Sequence, residues 1–408
     1  MGYFRQSLKG VGWVSALRGS TRIIAFAKTV IIARILAPSE FGLFGIAFFM
    51  LALLEVLTET GVNTVLLQKK QKIDEYLPTA LSISILRAVF IAAMLFLGAP
   101  FIAGFFKMPA ATSLIRTISL VSLLRGFINP SVVLFQKNLQ FGRDFFFRVT
   151  IFTVDAAVAV YATHLTGSPL GLVYGLIAGV ILEIMLSYLI ASPKTLPSWK
   201  TDRAKHIIGR GKWMTGAGIF QFLFREGDDA VVGRVLGSGA LGYYQMAYKI
   251  ATLPISEVAD ILAKVTLPVY VKLSDDLKRL RKAFLKTTLV VTVLAALLGA
   301  VLIVFAYPIV FFVLGEEWLG AVPVLQIISV YAIIRASLQP SMTLLISLDK
   351  QENLTTVTLI GIVAMFACII PLTNMYGIIG AGISTVVGVV AQIPVTYYYV
   401  IRSSIDQK

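Results

Sequence analysis

The run LVVTVLAALLGAVLIVFAYPIVFFVL, residues 289–314, contains no charged side chain. A helix needs about 20 mostly apolar residues to cross the hydrocarbon core of a bilayer, and this run exceeds that length. The whole 408-residue chain has the same character, because 57% of its residues are hydrophobic and 14% are charged. Soluble proteins contain roughly 45–50% apolar and about 25% charged residues. The sequence therefore predicts an integral membrane protein.

Windows of this length, read along the chain, predict an all-α polytopic fold with twelve transmembrane helices. The predicted spans are 12–36, 41–67, 77–101, 110–134, 147–165, 169–191, 208–236, 240–268, 284–312, 321–347, 353–373 and 377–401.

The connections between the predicted spans differ in charge in a regular way. Lys and Arg concentrate in every second connection, at 69–72, 137–148, 194–212, 272–286 and around Lys350, and also at both termini. The alternate connections carry few cations, among them Lys107. Because cytoplasmic loops collect Lys and Arg, this alternation predicts that both termini are cytoplasmic. It also accounts for most of the net charge of +15, so nucleic acid is not an expected partner. Anionic lipid headgroups suit the basic segment 278–282 better.

The two halves of the chain repeat each other. At a shift of 200 residues Trp13 meets Trp213, and the block RILAPSEFGLF (34–44) lies over RVLGSGALGYY (234–244). At a shift of 210, LRGFINPS (124–131) lies over IRASLQPS (334–341). We therefore predict two six-helix bundles, 1–205 and 206–408. They should be related by a pseudo-twofold axis along the membrane normal, with the substrate path between them, as in transporters that work by alternating access.

Several cations fall within predicted spans, where a charge costs about 2.5–3.5 kcal/mol and usually faces a cavity. On the first span the helical period places Arg18, Arg22 and Lys28 on one polar face. Arg18 could instead extend to the cytoplasmic surface. Carboxylates are fewer, so we expect a cationic central cavity that binds phosphate or pyrophosphate groups. The candidate ligands of the pyrophosphate are Arg18, Arg22, Lys28, Arg87, Arg125, Arg225 and Arg335.

Two carboxylates within spans, Asp155 and Glu183, have no obvious partner nearby in the sequence, and we take them as candidates for coupling transport to a proton or a sodium ion. The single cysteine and the two histidines offer no metal cluster, and no phosphate-binding loop occurs, so no cofactor, metal or catalytic residue is expected. Gly175 with Gly179, and the stretch 377–382, predict close helix packing.

Further stretches carry a resemblance to a known family: GVNTVLLQ (61–68), DAVVGRVLG (229–237) with LGYY (241–244), VTLP (265–268) and GEEW (315–318), together with residues 34–44. Nearly the whole chain resembles the Wzx-like polysaccharide flippases of the multidrug/oligosaccharidyl-lipid/polysaccharide exporter superfamily. The resemblance implies a V-shaped pair of six-helix bundles in the bacterial cytoplasmic (inner) membrane. It also implies that undecaprenyl-pyrophosphate-linked oligosaccharide repeat units are flipped to the periplasmic leaflet for O-antigen, exopolysaccharide or capsule.

The expected partners are the lipid-linked oligosaccharide, membrane lipids, and a polysaccharide polymerase with its chain-length regulator. The alternative function within the superfamily is a cation-coupled multidrug exporter, for which the cavity should be acidic. A glycan polymerase or ligase would need a large outer loop for its chemistry, and every predicted outer loop is short. A channel or a purely structural role fits the tandem repeat less well than a transporter does.

Overall fold

The computed structural model describes residues 3–68 and 73–405, and the regular structure within them is helical. The chain divides into two compact units, Met1–Arg225 and Glu226–Lys408. The predicted assignment of one six-helix bundle to 1–205 and another to 206–408 stays a prediction.

The described residues of the first unit form nine α-helices in chain order, the last of which continues into the second unit. These helices are α1 (Tyr3–Ala33), α2 (Pro38–Leu57), α3 (Val62–Gln68), α4 (Leu77–Phe105), α5 (Ala111–Arg125), α6 (Val133–Lys137), α7 (Phe141–Thr166), α8 (Leu170–Ile190) and α9 (Thr201–Leu236). Short 3₁₀ helices at Ile73–Glu75 and Pro130–Val132 precede α4 and α6.

The second unit contains the end of α9 and six further helices among its described residues. They are α10 (Ser238–Lys272), α11 (Leu277–Val304), α12 (Ala306–Val313), α13 (Val322–Ser347), α14 (Gln351–Tyr376) and α15 (Ile378–Ile405). A 3₁₀ helix at Glu316–Ala321 leads into α13.

Each predicted span coincides with one of these helices or with two consecutive ones. Among the described residues, eight helices are long and apolar enough to cross a membrane, and a ninth span results if α5 is joined to its continuation Pro130–Lys137 across a 70° bend. The remaining three predicted spans are α1, α9 and α10. These helices carry charges within their apolar stretches, such as Arg22 and Lys28 in α1, which is why composition alone does not select them. The predicted all-α polytopic fold class is confirmed.

Glycines allow the closest helix contacts in both units. In the first, α8 packs on α7 through Gly171, Gly175 and Gly179; a Cβ on Gly175 would lie 2.5 Å from the Cβ of Ala159. In the second, α15 packs on α14, and a Cβ on Gly380 would lie 1.9 Å from the backbone oxygen of Leu372. The predicted close packing at these glycines is confirmed. Small residues let helix backbones approach within a membrane, where lipid gives no hydrophobic drive for association.

Candidate functional site

A cavity of about 550 Å³ lies within the first unit. Its wall is built by residues of α2 to α8 and of the short segments between them. Its charged lining consists of three carboxylates and three guanidinium groups, namely Glu55, Glu59, Glu183, Arg87, Arg125 and Arg148. The volume falls within the range of about 300–1,000 Å³ that is usual for small-molecule sites.

A second cavity, of about 320 Å³, adjoins the first one. The two share Arg125, Ile128, Arg148 and Glu183 as lining residues, and the second adds Asp155. We call the two cavities together the charged groove, defined by its charged lining: Glu55, Glu59, Arg87, Arg125, Arg148, Asp155 and Glu183.

Carboxylates from α2 and the turn after it hold the two arginines of α4 and α5. Arg125 donates to Oε1 of Glu55 at 2.5 Å. Arg87 lies 3.6 Å from Oε2 of Glu59, and its Nε donates to the hydroxyl of Thr58 at 3.0 Å. Both guanidinium groups are half-buried, and protein carboxylates provide their counter-charges.

A third ion pair joins α1 to α7. The ammonium of Lys28 donates to Oδ2 of Asp155 at 2.7 Å, and the side chains are only 16% and 10% exposed. The other oxygen, Oδ1, is buried and accepts no hydrogen bond from the described residues. Gly175 and Gly179 of α8 pack against Asp155, so that a Cβ on Gly175 would lie 2.9 Å from Oδ1. A small residue at this position leaves room for the carboxylate between the helices.

The structure places the other predicted ligands elsewhere. Arg18 is exposed and Arg22 is half-buried, four residues apart on α1. Arg225 is exposed on α9, and Arg335, on α13 of the second unit, is exposed as well. Among the sequence candidates, the structure thus brings together Arg87, Arg125, Asp155 and Glu183 in the charged groove, with Lys28 bound to Asp155. The role of each in binding or ion coupling stays a prediction.

The cationic cavity expected from the sequence lies between the two halves and stays a prediction. Among the described residues, three Arg and three Glu line the larger cavity of the first unit. Glu55 and Glu59 are far from Arg125 and Arg87 in sequence and meet them only through packing of α2 against α4 and α5. Arg148 falls both in the predicted basic connection 137–148 and at the start of the predicted span 147–165. It lies on α7, where its Nε donates to Oδ1 of Asp144 at 2.8 Å, and it lines both cavities.

Sequence reasoning also missed a buried acidic site in the second unit. Asp228 is 3% exposed, and its Oδ2 accepts a hydrogen bond of 2.6 Å from the hydroxyl of Tyr244. Asp229 accepts from the side-chain amide of Gln245 at 2.7 Å. Both donors lie on α10, sixteen residues after the carboxylates they serve. Two adjacent aspartates within a predicted span were the signal that could have indicated this site.

Over the residues that the structure describes, no three His, Cys, Asp or Glu side chains are grouped as a metal site would require.

Solved structures define the class of this fold. The chain matches the lipid II flippase MurJ in an inward closed conformation with a TM-score of 0.78 at 16% identity, over 96% of this chain and 88% of that one. It matches an inward-facing multidrug resistance MATE family transporter of the MOP superfamily with a TM-score of 0.71 at 13% identity, over 94% of each chain. The chain therefore has the helical fold of these membrane transporters.

Sequence comparison then identifies the family. The family model described as "Polysaccharide biosynthesis protein" matches residues 31–323, and the chain belongs to this family. It is 25% identical to an uncharacterized membrane protein in the cps region of Klebsiella pneumoniae, over 97% of this chain and 82% of the relative. It is 24% identical to the lipopolysaccharide biosynthesis protein WzxC of Escherichia coli K12, over 84% and 70%. It is also 22% identical to the teichuronic acid biosynthesis protein TuaB of Bacillus subtilis, over 85% and 72%.

These relatives confirm the predicted Wzx-like family. Together with the apolar helices they show a multi-pass membrane protein of the bacterial inner membrane. The orientation with both termini in the cytoplasm stays a prediction.

Proposed function

We propose that this protein flips undecaprenyl-pyrophosphate-linked oligosaccharide units from the cytoplasmic to the periplasmic leaflet, for the synthesis of a surface polysaccharide. The observation that carries the proposal is the family match over residues 31–323, combined with the fold of a lipid flippase. The relatives named for lipopolysaccharide and teichuronic acid biosynthesis support a glycan substrate.

The diphosphate of such a substrate needs cationic ligands. Arg18 and Arg22 of α1 suit this role, because residues four apart share one face of a helix and guanidinium groups bind phosphate oxygens in bidentate fashion. In the proposed mechanism the diphosphate contacts this face of α1, and Lys28 joins it when its pair with Asp155 opens. Arg225 and Arg335 are further proposed contacts.

Coupling to an ion would act on the pair of Lys28 and Asp155. A proton or a sodium ion that reaches Asp155 competes with the ammonium of Lys28 for one carboxylate, and Glu183 lines the cavity that leads there. Such an exchange would let a gradient bias alternating access, which requires that the ion bind one conformation more tightly than the other.

A cation-coupled multidrug exporter is the second candidate, since the charged groove holds four carboxylates and the fold is also that of a MATE transporter. Three of these carboxylates are paired with Arg or Lys at 2.5–3.6 Å. This pairing leaves little net negative charge for a cationic drug and favours the flippase.

Transport in reconstituted vesicles tests the proposal. The substrate is a fluorescent undecaprenyl-pyrophosphate oligosaccharide, and the variant is Arg22→Ala. Arg116→Ala serves as the matched control, because Arg116 also lies within a predicted span but is exposed, with its guanidinium over the ring of Phe96. We expect flipping by wild type and by Arg116→Ala, and strongly reduced flipping by Arg22→Ala. Export of cationic dyes without flipping by the wild type would instead identify a multidrug exporter.

A further inference from the structure

The larger cavity of the charged groove is also lined by uncharged polar side chains. Asn63, Ser84, Ser122 and Gln136 contribute amides and hydroxyls. Ser122 is only 2% exposed. Within the described part of the chain, the side chains of Asn63 and Ser122 form no hydrogen bonds. The cavity therefore combines neutral hydrogen-bonding groups with the ion pairs Arg125–Glu55 and Arg87–Glu59.

The charge balance of the lining disfavours an anion. Among the residues that the structure describes, three Glu and three Arg line the larger cavity, so their formal charges cancel. A diphosphate that approached Arg125 would have to displace Glu55 and would then face several carboxylates. Like charges that lie close together in a site of low effective dielectric constant repel each other, so that this displacement would cancel much of the attraction between the diphosphate and the guanidinium group.

A hydroxyl group meets no such penalty. It accepts a hydrogen bond from a guanidinium and donates one to a carboxylate at the same time, and it leaves the ion pair intact. The pairs Arg125–Glu55 and Arg87–Glu59 each present this combination of donor and acceptor to the cavity. Amide and hydroxyl side chains extend the same chemistry along the wall.

We infer that the charged groove is the saccharide subsite of the transporter and takes the neutral, hydroxyl-rich sugar residues of the lipid-linked oligosaccharide. This inference rests on the proposed function and divides the substrate between two regions of the first unit. Arg87 and Arg125 then hold sugar hydroxyls, whereas the diphosphate contacts the cations of α1. Selectivity among glycans arises in the groove.

Cysteine protection tests this division, because Cys368 is the single cysteine of the chain. In a Cys368→Ser background, Asn63→Cys places a thiol on the exposed part of the groove wall. The probes are the saccharide released by mild acid from the lipid-linked oligosaccharides of the source bacterium, and inorganic pyrophosphate. We expect the saccharide to slow maleimide labelling several-fold and pyrophosphate to have no effect. Ser113→Cys, exposed at the start of α5 and outside the groove, should react at one rate under all conditions.

A second readout needs no substitution in the groove. Hydrogen–deuterium exchange of wild-type residues 55–68 should slow with the saccharide and not with pyrophosphate. Glu59→Gln removes an acceptor charge and should weaken the protection by saccharide in both experiments.

The outcomes separate this inference from the proposed function. If vesicles flip the lipid-linked oligosaccharide while pyrophosphate alone protects Asn63→Cys, the groove is a diphosphate site and the inference is wrong. Protection by neither probe also overturns it. If the saccharide protects but no lipid is flipped, the saccharide site stands and the proposed function falls.

Discussion

The two units stabilise a buried carboxylate by different chemistry. At the shift of 200 residues that aligns the repeats, Lys28 of α1 corresponds to Asp228 of α9. In the first unit the side chain at this position is a cation that neutralises Asp155 on α7. In the second it is itself a carboxylate, which neutral donors of α10 satisfy. The helix is thus present in both halves of the repeat, whereas the side chain at this position has the opposite charge.

The helix ends, by contrast, have stayed alike. Gly167 ends α7 and Gly377 ends α14, 210 residues later, and both have positive φ, at 58° and 60°. Glycine adopts this left-handed region without the steric penalty of a Cβ. Thr163 and Thr373, four residues before these glycines, are both fully buried. These backbone positions are therefore alike in the two halves, whereas the charge at Lys28 and Asp228 differs in sign.

Loss of the ammonium in the first unit should have the largest effect on stability. Lys28→Ala leaves Asp155 as an uncompensated buried carboxylate, and breaking a buried pair in this way costs about 3–5 kcal/mol. Thermal unfolding in detergent measures the loss.

The double variant Lys28→Met with Asp155→Asn is the control for this pair. It removes both charges, so it should lose less stability than the sum of the two single variants. Additive losses would show that the two side chains do not interact in solution.

The carboxylate of the second unit should be less sensitive. Tyr244→Phe removes one hydrogen bond to Asp228 and no opposite charge, which is worth about 1.5–3 kcal/mol for a charged acceptor. The same unfolding experiment compares it with Lys28→Ala. A loss of stability as large as that of Lys28→Ala would contradict the distinction between a buried carboxylate held by an opposite charge and one held by uncharged hydrogen-bond donors. Tyr243→Phe, at a half-buried neighbouring tyrosine whose hydroxyl donates to the backbone oxygen of Glu317 at 3.0 Å, controls for loss of a hydrogen bond to an uncharged acceptor.

Helix packing next to Asp155 can be tested separately from its charge. Gly175→Ala adds a methyl group 2.5 Å from the Cβ of Ala159, and overpacking of this kind costs about 1–3 kcal/mol. Gly98→Ala, within α4, meets its nearest neighbour at an ordinary 3.6 Å and should be neutral or slightly stabilising. Equal unfolding temperatures for the two variants would mean that α7 and α8 separate easily.

The sequence predicted the fold well and the candidate site only in part. Apolar length and the alternation of Lys and Arg depend on the bilayer alone, so helices could be predicted without knowing their neighbours. The twelve windows accordingly coincide with helices, even where α1, α9 and α10 carry charges. Arg87, Arg125, Asp155 and Glu183 were found because any charge within a span is conspicuous.

Partners could not be predicted in the same way. Lys28 and Asp155 are 127 residues apart and Arg125 and Glu55 are 70 apart, so their pairing follows from packing between helices. The start of α7 was predicted too late, because the helix begins at Phe141, before the apolar stretch, and Asp144 supplies a counter-charge for Arg148 one turn later.

The smallest effect should come from an ion pair at the surface of the second unit. Arg279 lies 3.2 Å from Asp276, but its side chain is 79% exposed, so solvent and salt screen the attraction. Exposed pairs contribute about 0–1 kcal/mol, and for Arg279→Ala we expect the lower end of that range.

Asp276 has a second role, because its Oδ1 accepts a hydrogen bond of 3.1 Å from the backbone N–H of Arg279 and so caps α11. Asp276→Ala should therefore cost more, about 0.5–2 kcal/mol, the usual value of an N-cap. Unfolding at low and high salt distinguishes the two: the effect of Arg279→Ala should vanish in high salt, whereas that of Asp276→Ala should largely persist, because a cap acts through a short hydrogen bond. If Arg279→Ala were as costly as Lys28→Ala, burial would not be what separates strong from weak ion pairs in this protein.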